Sequence, residues 1–81
     1  MESTFAESPE HWLVIDLEAT CCNDGQFPRE EMEIIEIGAV IVDGKTFRPV
    51  DEFQIFIRPN RHPTLTDFCR KLTGIEQSVV D

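Results

Sequence analysis

Residues 12–18 read Trp-Leu-Val-Ile-Asp-Leu-Glu, an apolar run followed by two acids that are separated by one leucine. A continuous apolar run of this length, ended by polar residues, is typical of a strand that is buried on both faces. Because successive side chains of a strand point to opposite faces, Asp16 and Glu18 are predicted to share one face. They come at the carboxyl end of the strand, where functional groups gather in α/β sheets.

Two carboxylates on one face of a buried strand repel each other unless a cation neutralises them. Hard divalent cations that prefer oxygen ligands, such as Mg²⁺ and Mn²⁺, suit this pair. The alternative is that the strand is already fraying at this point and that both acids are solvated. The spacing of Asp16 and Glu18 alone leaves both interpretations open.

Two more segments are typical of strands. Residues 34–43 read Ile-Ile-Glu-Ile-Gly-Ala-Val-Ile-Val-Asp, which is rich in β-branched residues and ends at the turn signal Asp43-Gly44. Residues 53–58 predict a third strand that is closed by Pro59. A connection of about eight residues between these two strands predicts an antiparallel hairpin.

Helices are predicted in the last part of the chain, with Thr64 or Thr66 as the N-cap of the first. Apolar positions at helical spacing predict one apolar helix face, formed by Leu65, Phe68, Cys69 and Leu72. Gly74 suits the end of this helix, and residues 76–81 predict the start of a second one. Residues 21–31 are polar and predict a loop.

Three strands followed by a helix predict an α/β fold with an antiparallel sheet. In a meander of three strands the first strand lies at an edge, although its apolar run is typical of a central strand. An apolar edge strand is normally covered. We expect a polar arm over residues 1–10 and an incomplete domain over residues 11–81, whose missing strand comes either from further chain or from another subunit.

The net charge is −9, and residues 1–36 hold ten acidic residues against Arg29 as the single base. This balance excludes a protein that coats nucleic acid nonspecifically, because such proteins are basic. The negative charge is compatible with an enzyme that binds nucleic acid through metal ions, since bound cations reverse the local electrostatic field of a carboxylate cluster.

No run approaches the roughly 18 apolar residues of a membrane span. The first ten residues lack the features of a signal peptide, so we expect a cytoplasmic location without a membrane partner.

The three cysteines Cys21, Cys22 and Cys69 are odd in number and contain no C-x-x-C spacing. This pattern predicts reduced thiols, not a disulfide framework or a zinc finger. No histidine adjoins Cys21-Cys22, so a structural role is expected for them.

Glu33 and Glu36 are predicted to face opposite sides of the second strand. Two interpretations are open for them, contact of one with the acid pair or exposure to solvent.

Several motifs in order resemble those of the DEDD 3′–5′ exonucleases, a superfamily with a ribonuclease H-like fold. The stretch Val-Ile-Asp-Leu-Glu-Ala-Thr-Cys at 14–21 resembles their first signature motif. Later strands, a helix and a turn of the family resemble residues 33–40, 56–59, 65–69 and 72–75. The motifs Glu-Ala-Thr-Cys at 18–21 and Asp-Phe-Cys at 67–69 most resemble those of the histone-mRNA and small-RNA 3′ exonuclease branch. The resemblance covers residues 12–81 and implies the N-terminal half of such a domain.

The resemblance implies Mg²⁺- or Mn²⁺-dependent hydrolysis of phosphodiester bonds at the 3′ ends of RNA or single-stranded DNA, with a nucleoside monophosphate as product. Asp16 matches the acid that binds both metal ions of a two-metal site. Glu18 matches the second acid, which is a ligand of one ion and a neighbour of the terminal 3′-hydroxyl. Ala19 and Thr20 match residues that line the terminal nucleotide, and Leu72 matches the apolar residue near its base.

The family pattern also needs a third and a fourth carboxylate and usually a histidine, all of them later than Ile75. Asp81 does not match the second motif, and His11 and His62 do not match the catalytic histidine. With two of four carboxylates, this span alone is expected to bind metal weakly and to hydrolyse little. The alternative is a catalytically incomplete module that binds nucleic acid or protein. The oligomeric state is left open.

Overall fold

The computed structural model describes residues 9–81, which form a three-stranded sheet followed by two short helices. The elements in chain order are β1 (His11–Ala19), a 3-10 turn (Arg29–Glu31), β2 (Ile34–Asp43), β3 (Pro49–Phe56), α1 (Asp67–Thr73) and α2 (Gln77–Val80). The predicted order of three antiparallel strands followed by a helix is confirmed. Within the described range, no helix is long and apolar enough to cross a membrane.

The strands form an antiparallel meander in the order β1-β2-β3. Strand β1 pairs with β2 from the His11–Asp43 pair to the Glu18–Glu36 pair, after which the register shifts. Strand β3 pairs with the other side of β2. In the sheet formed by residues 9–81, β1 therefore lies at an edge, as the meander predicts.

Strand β2 has the bounds that its β-branched sequence predicts, whereas β3 does not. It begins at Pro49 and ends at Phe56, so the predicted strand over residues 53–58 is displaced towards the C-terminus. The backbones of Asp51 and Glu52 pair with β2, and this pairing extends the strand through two polar residues. The connection between β2 and β3 is accordingly shorter than predicted, residues 44–48.

The Asp43-Gly44 turn is also the point where the start of the described chain meets the hairpin. The Gly44 N–H donates to the Glu10 carbonyl at 2.8 Å. A Cβ atom on Gly44 would lie 1.8 Å from the Pro9 carbonyl oxygen, so this position requires glycine. Of the predicted polar arm, residues 1–8 lie outside the described residues, while Pro9 and Glu10 are exposed and follow the hairpin.

The two faces of the sheet differ in chemistry. Asp16 and Glu18 lie on one face, which we call the acid face. The opposite face is apolar and carries Leu13, Ile15, Leu17, Ile37, Ala39, Ile41, Phe53 and Ile55. Contrary to the predicted burial of the first strand on both faces, β1 is exposed from His11 to Leu17. The reason is that, within residues 9–81, no element covers either face of this strand.

The buried core lies where β1 ends and β2 begins. It consists of Ile35, Leu65, Cys69, Ile75 and Val80, with Cys21 packed against them. Helix α1 starts at the Thr66 cap, whose hydroxyl accepts the Cys69 N–H at 3.0 Å, and ends at Gly74 with φ 75°. Both caps agree with the sequence prediction.

The predicted apolar face of the first helix is only partly correct. Leu65 and Cys69 are buried, but Leu72 is 66% exposed. Leu65 precedes the first residue of α1, Asp67, so the seven-residue spacing from Leu65 to Leu72 does not correspond to two turns of one helix. The core therefore takes its next apolar side chain from Ile75, after the helix has ended.

Candidate active site

Asp16 and Glu18 lie on the acid face within the last four residues of β1. Asp16 is exposed and Glu18 is half-buried. The three ion pairs found within residues 9–81 involve neither of them. Two neighbouring carboxylates without a protein cation offer oxygen ligands to a hard divalent cation.

The neighbouring strands place three more residues beside the acid pair. In the register between β1 and β2, Gly38 lies opposite Asp16, and Glu36 lies opposite Glu18. Gln54 of β3 lies opposite Gly38, and its Nε2 donates to Oε2 of Glu36 at 2.7 Å. Glu36 therefore belongs to the acid face, which resolves one alternative that the sequence left open.

Backbone hydrogen bonds hold the segment that follows Glu18. Thr20 is 2% exposed, its N–H donates to the Glu33 carbonyl at 2.8 Å, and its hydroxyl accepts the Glu33 N–H at 2.9 Å. The Ala19 carbonyl accepts the Cys69 thiol at 3.6 Å. The two residues that the resemblance assigns to the terminal nucleotide thus have a backbone fixed by β2 and α1.

A β-bulge separates the acid pair from this segment. Glu18 is opposite Glu36, but Ala19 is opposite Ile34, so Ile35 has no partner on β1. Ile35 is completely buried in the core. Bulges bend a strand and re-aim its side chains, and they are common beside active sites. Here the extra residue lies on β2, so the bulge bends β2 and Ile35 enters the packed end of the molecule.

The Glu33 side chain joins the start of β2 to the loop after β3. Its carboxylate accepts the backbone N–H of Asn60 at 3.0 Å and that of Arg61 at 2.6 Å. These hydrogen bonds, from Asn60 first and then Arg61, hold the pKa of Glu33 below its usual range. The role of Glu33 is therefore structural, since its hydrogen bonds to Asn60 and Arg61 fix the loop that follows β3.

Neither histidine lies beside the acid pair. His11 is opposite Asp43, at the other end of β1. His62 has Nε2 2.8 Å from Oε1 of Glu31, and its ring stacks on Phe27 with centroids 4.2 Å apart. The sequence analysis likewise matched neither residue to the catalytic histidine of the family that the sequence resembles.

Leu72 projects from the last turn of α1. A shallow depression beside it is lined by Asn23, Asp67, Phe68, Lys71 and Leu72. An exposed apolar side chain in such a depression is available to a flat, apolar ligand group such as a base. The role that the resemblance implies for Leu72 stays a prediction.

The cysteines are free thiols, as the sequence predicts. Burial, followed by a hydrogen bond with the Cys69 thiol, raises the pKa of Cys21 to about 11. A thiol with this pKa is protonated at neutral pH and is a poor nucleophile. The Cys22 thiol donates to the Phe27 carbonyl at 3.6 Å. These contacts agree with the structural role that was expected for the Cys21-Cys22 pair.

The acid pair fits part of a divalent-metal site. Within residues 9–81, no group of three or more His, Cys, Asp or Glu side chains could hold a metal ion together. Asp16 and Glu18 supply two carboxylates of the right chemistry for Mg²⁺ or Mn²⁺.

Sequence reasoning located the acid pair but missed Gln54. The alternation of side chains puts Gln54 and Glu52 on one face of a strand, but only the register with β2 brings Gln54 to Glu36. The sequence carried no signal for this contact, because it depends on the register between strands that are distant in the chain.

Known proteins share this arrangement of elements. Residues 13–81 match the RNase T family, which is an exonuclease family. Human ERI1 exoribonuclease 2 is 44% identical over 72 residues, which are 89% of this chain and 10% of that protein. Human 3′-5′ exoribonuclease 1 is 43% identical over 81 residues, which cover 99% of this chain and 23% of that protein. The chain thus spans a tenth to a quarter of the length of these relatives.

Solved structures agree with this assignment. A 3′-exonuclease studied for 3′-end specific recognition of a histone mRNA stem-loop has a TM-score of 0.80 and 43% identity, over 99% of this chain and 28% of that one. The nuclease domain of 3′hExo, a DEDDh family member bound to rAMP, has a TM-score of 0.78 and 42% identity, over 89% and 36%. The three strands and the helix are therefore part of a ribonuclease H-like nuclease fold. By sequence and by fold, the chain belongs to the DEDD family of 3′–5′ exonucleases.

Proposed function

We propose that this chain supplies the first metal-binding motif of a 3′–5′ exonuclease that shortens RNA from its 3′ end by a two-metal mechanism. The observation that carries the proposal is the placement of Asp16 and Glu18 on one face of β1, directly before the fixed backbone of Ala19 and Thr20. The proposal concerns the whole protein, because this chain covers only 10% to 23% of its curated relatives.

The relatives support RNA as the substrate. Two are named exoribonucleases, and one structural neighbour recognises the 3′ end of a histone mRNA stem-loop. Another neighbour was solved with rAMP, which has the chemistry of a nucleoside monophosphate product. Single-stranded DNA is the competing substrate, and the experiment below compares the two directly.

The residues of this chain would act by position and charge. Asp16 and Glu18 would hold Mg²⁺ or Mn²⁺, and such ions, when bound, activate a water molecule and stabilise the charge that develops on the phosphate. The backbone at Ala19 and Thr20 would border the terminal nucleotide, and the exposed Leu72 would contact its base. The strongly acidic sheet would repel RNA without cations, so substrate binding itself would depend on the metal.

The test uses the protein expressed from its complete coding sequence. Single-stranded RNA and DNA of one sequence, labelled at the 5′ end, are incubated with Mg²⁺, with Mn²⁺ or with a chelator. We expect metal-dependent shortening by one nucleotide at a time, faster on RNA. Asp16→Asn and Glu18→Gln should each lower the rate by about 100-fold or more, since loss of groups outside the direct ligands already costs about 10- to 100-fold.

Glu52→Gln is the matched control, because it removes one negative charge from the same face of the sheet. Full activity of Asp16→Asn beside a normal control would overturn the proposal. Loss of activity in the control as well would point to the overall charge of the sheet and not to a metal site.

A second candidate function is a catalytically incomplete module that binds nucleic acid or protein. The observations that favour it are the absence of a three-ligand cluster within residues 9–81 and the exposed edge of β1. Binding of RNA without metal-dependent shortening of RNA or DNA would support this candidate.

For both candidate functions, the free cysteines are compatible with the cytoplasmic location predicted from the sequence.

A further inference from the structure

We infer that Glu36 and Gln54 are positioning residues for Glu18: the Gln54 amide holds the Glu36 carboxylate towards β3, so that Glu18 stays free to coordinate a cation beside Asp16. This inference rests on the proposed function. It concerns the residues that set the geometry of the metal ligands and assigns no coordination to Glu36 itself.

The register between β1 and β2 puts Glu36 and Glu18 in direct opposition. The Cβ atoms of such antiparallel pairs are about 4.5–5.5 Å apart, and like charges placed there repel each other. An unrestrained Glu36 would therefore push the Glu18 carboxylate out of place or compete with it for the same cation.

The Gln54 amide provides the restraint. Its Nε2 donates to Oε2 of Glu36 at 2.7 Å, and hydrogen bonds to an ionised acceptor are stronger than those between neutral groups. Gln54 lies on the far side of β2 from β1. The hydrogen bond therefore draws the Glu36 carboxylate away from Glu18.

Gly38 presents no side chain between Asp16 and Gln54. It stands between Asp16 and Gln54 across the three strands, and these residues border one open depression on the acid face. A Cβ atom on Gly38 would meet only the Asp16 carbonyl oxygen at 3.8 Å, an ordinary contact. The backbone thus does not demand glycine, and the bare position keeps the space between the two side chains open.

Two consequences follow for the cation. The Glu36 charge lies near the acid pair and adds to the attraction of a divalent ion. The position of that charge depends on Gln54. Groups beyond the direct ligands orient the ligands and tune the metal in this way.

The test measures the Mn²⁺ dissociation constant by titration calorimetry for the protein expressed from its complete coding sequence. Glu36→Gln keeps an acceptor for Gln54 and removes the charge, and we expect it to weaken Mn²⁺ binding by about tenfold. Gln54→Ala keeps the net charge and releases Glu36, and we expect a loss of similar size. The double variant should match Glu36→Gln alone, because Gln54 acts through Glu36.

The melting temperature without metal is recorded for each variant. Both side chains lie on an open face, so the variants should melt within a few degrees of the wild type. Glu52→Gln, which removes a charge two residues from Gln54, should bind Mn²⁺ like the wild type.

The outcomes separate the inference from the proposed function. If Asp16→Asn binds Mn²⁺ as tightly as the wild type, the proposed function fails. If Asp16→Asn loses the ion but Glu36→Gln or Gln54→Ala binds it normally, the inference alone fails. Additive losses in the double variant, or an equal loss in Glu52→Gln, would also overturn it, because Gln54 would then not act through Glu36 or the effect would be general charge.

Discussion

Thr20 and Glu33 exchange two hydrogen bonds across the end of the β1–β2 ladder, one between backbone groups and one through the Thr20 hydroxyl. These two hydrogen bonds fix the end of the strand that carries Asp16 and Glu18. Because Thr20 is buried, replacing its hydroxyl by a methyl group leaves the Glu33 N–H without its acceptor. We expect Thr20→Val to lower the free energy of unfolding by about 1–3 kcal/mol. Thr20→Ser, which keeps the hydroxyl, should lose less, and equal losses in urea unfolding would contradict this account.

Glu33 makes stability depend on pH in the acidic range. Its pKa is lowered by the Asn60 and Arg61 N–H groups, so its contribution is present above the ordinary carboxyl pKa and is lost as the pH falls through the lowered value. We expect Glu33→Gln to melt below the wild type at neutral pH and to approach it in acid. Glu30→Gln, at an exposed site in the 3-10 turn, is the control and should follow the wild type at every pH. A constant gap between Glu33→Gln and the wild type would refute the linkage.

Gly44 is constrained by space and not by an unusual φ. A methyl group there would overlap the Pro9 carbonyl, so Gly44→Ala must displace the start of β1 or break the Gly44–Glu10 hydrogen bond. Gly25→Ala provides the comparison, because nothing lies within 4 Å of its added Cβ and only its φ of 76° opposes alanine. We expect the larger fall in melting temperature for Gly44→Ala. The reverse order would show that Pro9 and Glu10 are not held by the hairpin.

Leu65 and Leu72 should separate stability from substrate binding. Leu65 is 5% exposed and Leu72 is 66% exposed. We expect Leu65→Ala to cost about 2–5 kcal/mol of unfolding free energy. Leu72→Ala should leave the melting temperature nearly unchanged and weaken binding of an RNA 3′ end, which fluorescence anisotropy would measure. Wild-type RNA affinity in Leu72→Ala would remove this residue from the proposed nucleotide site.

The Cys21 thiol should react slowly with alkylating reagents. Its pKa of about 11 leaves little thiolate at pH 8, and the thiolate fraction rises about tenfold with each pH unit below the pKa. In Cys22→Ser, which leaves Cys21 and the fully buried Cys69, mass spectrometry should show slow labelling by iodoacetamide. Denaturant should speed it by about tenfold or more, as expected when a half-buried thiol with a raised pKa returns to an ordinary pKa near 8.5. Equally fast labelling in the native state would contradict the raised pKa of this thiol.

The parts of the fold that sequence predicted well depend on local patterns. The β-branched run of β2 and the Thr66 and Gly74 caps of α1 are set by residues that are neighbours along the chain. The shared face of Asp16 and Glu18 follows from strand periodicity in the same way. Strand β3 was misplaced because its first half contains Pro49, Asp51 and Glu52, which are uncommon in strands, and it forms through pairing with β2.

The candidate site depends more on contacts between distant residues. The Gln54–Glu36 hydrogen bond needs the register between β2 and β3, and the position of Thr20 needs its two hydrogen bonds with Glu33. No single segment shows either feature. The grouping of Leu65 with Leu72 on one helix face was wrong for a similar reason, since helical spacing does not reveal where a helix begins.

The meander also sets the order in which the chain can fold during synthesis. Each strand pairs with the strand that follows it in the chain, so the sheet can assemble in the order of synthesis, although partners such as His11 and Asp43 are far apart in sequence. Once Asp43 has left the ribosome, β1 has the whole of its partner strand available, and Asp16 and Glu18 can take their places before α1 has been made. The apolar face of this early sheet is exposed hydrophobic surface, which makes a nascent chain prone to aggregate.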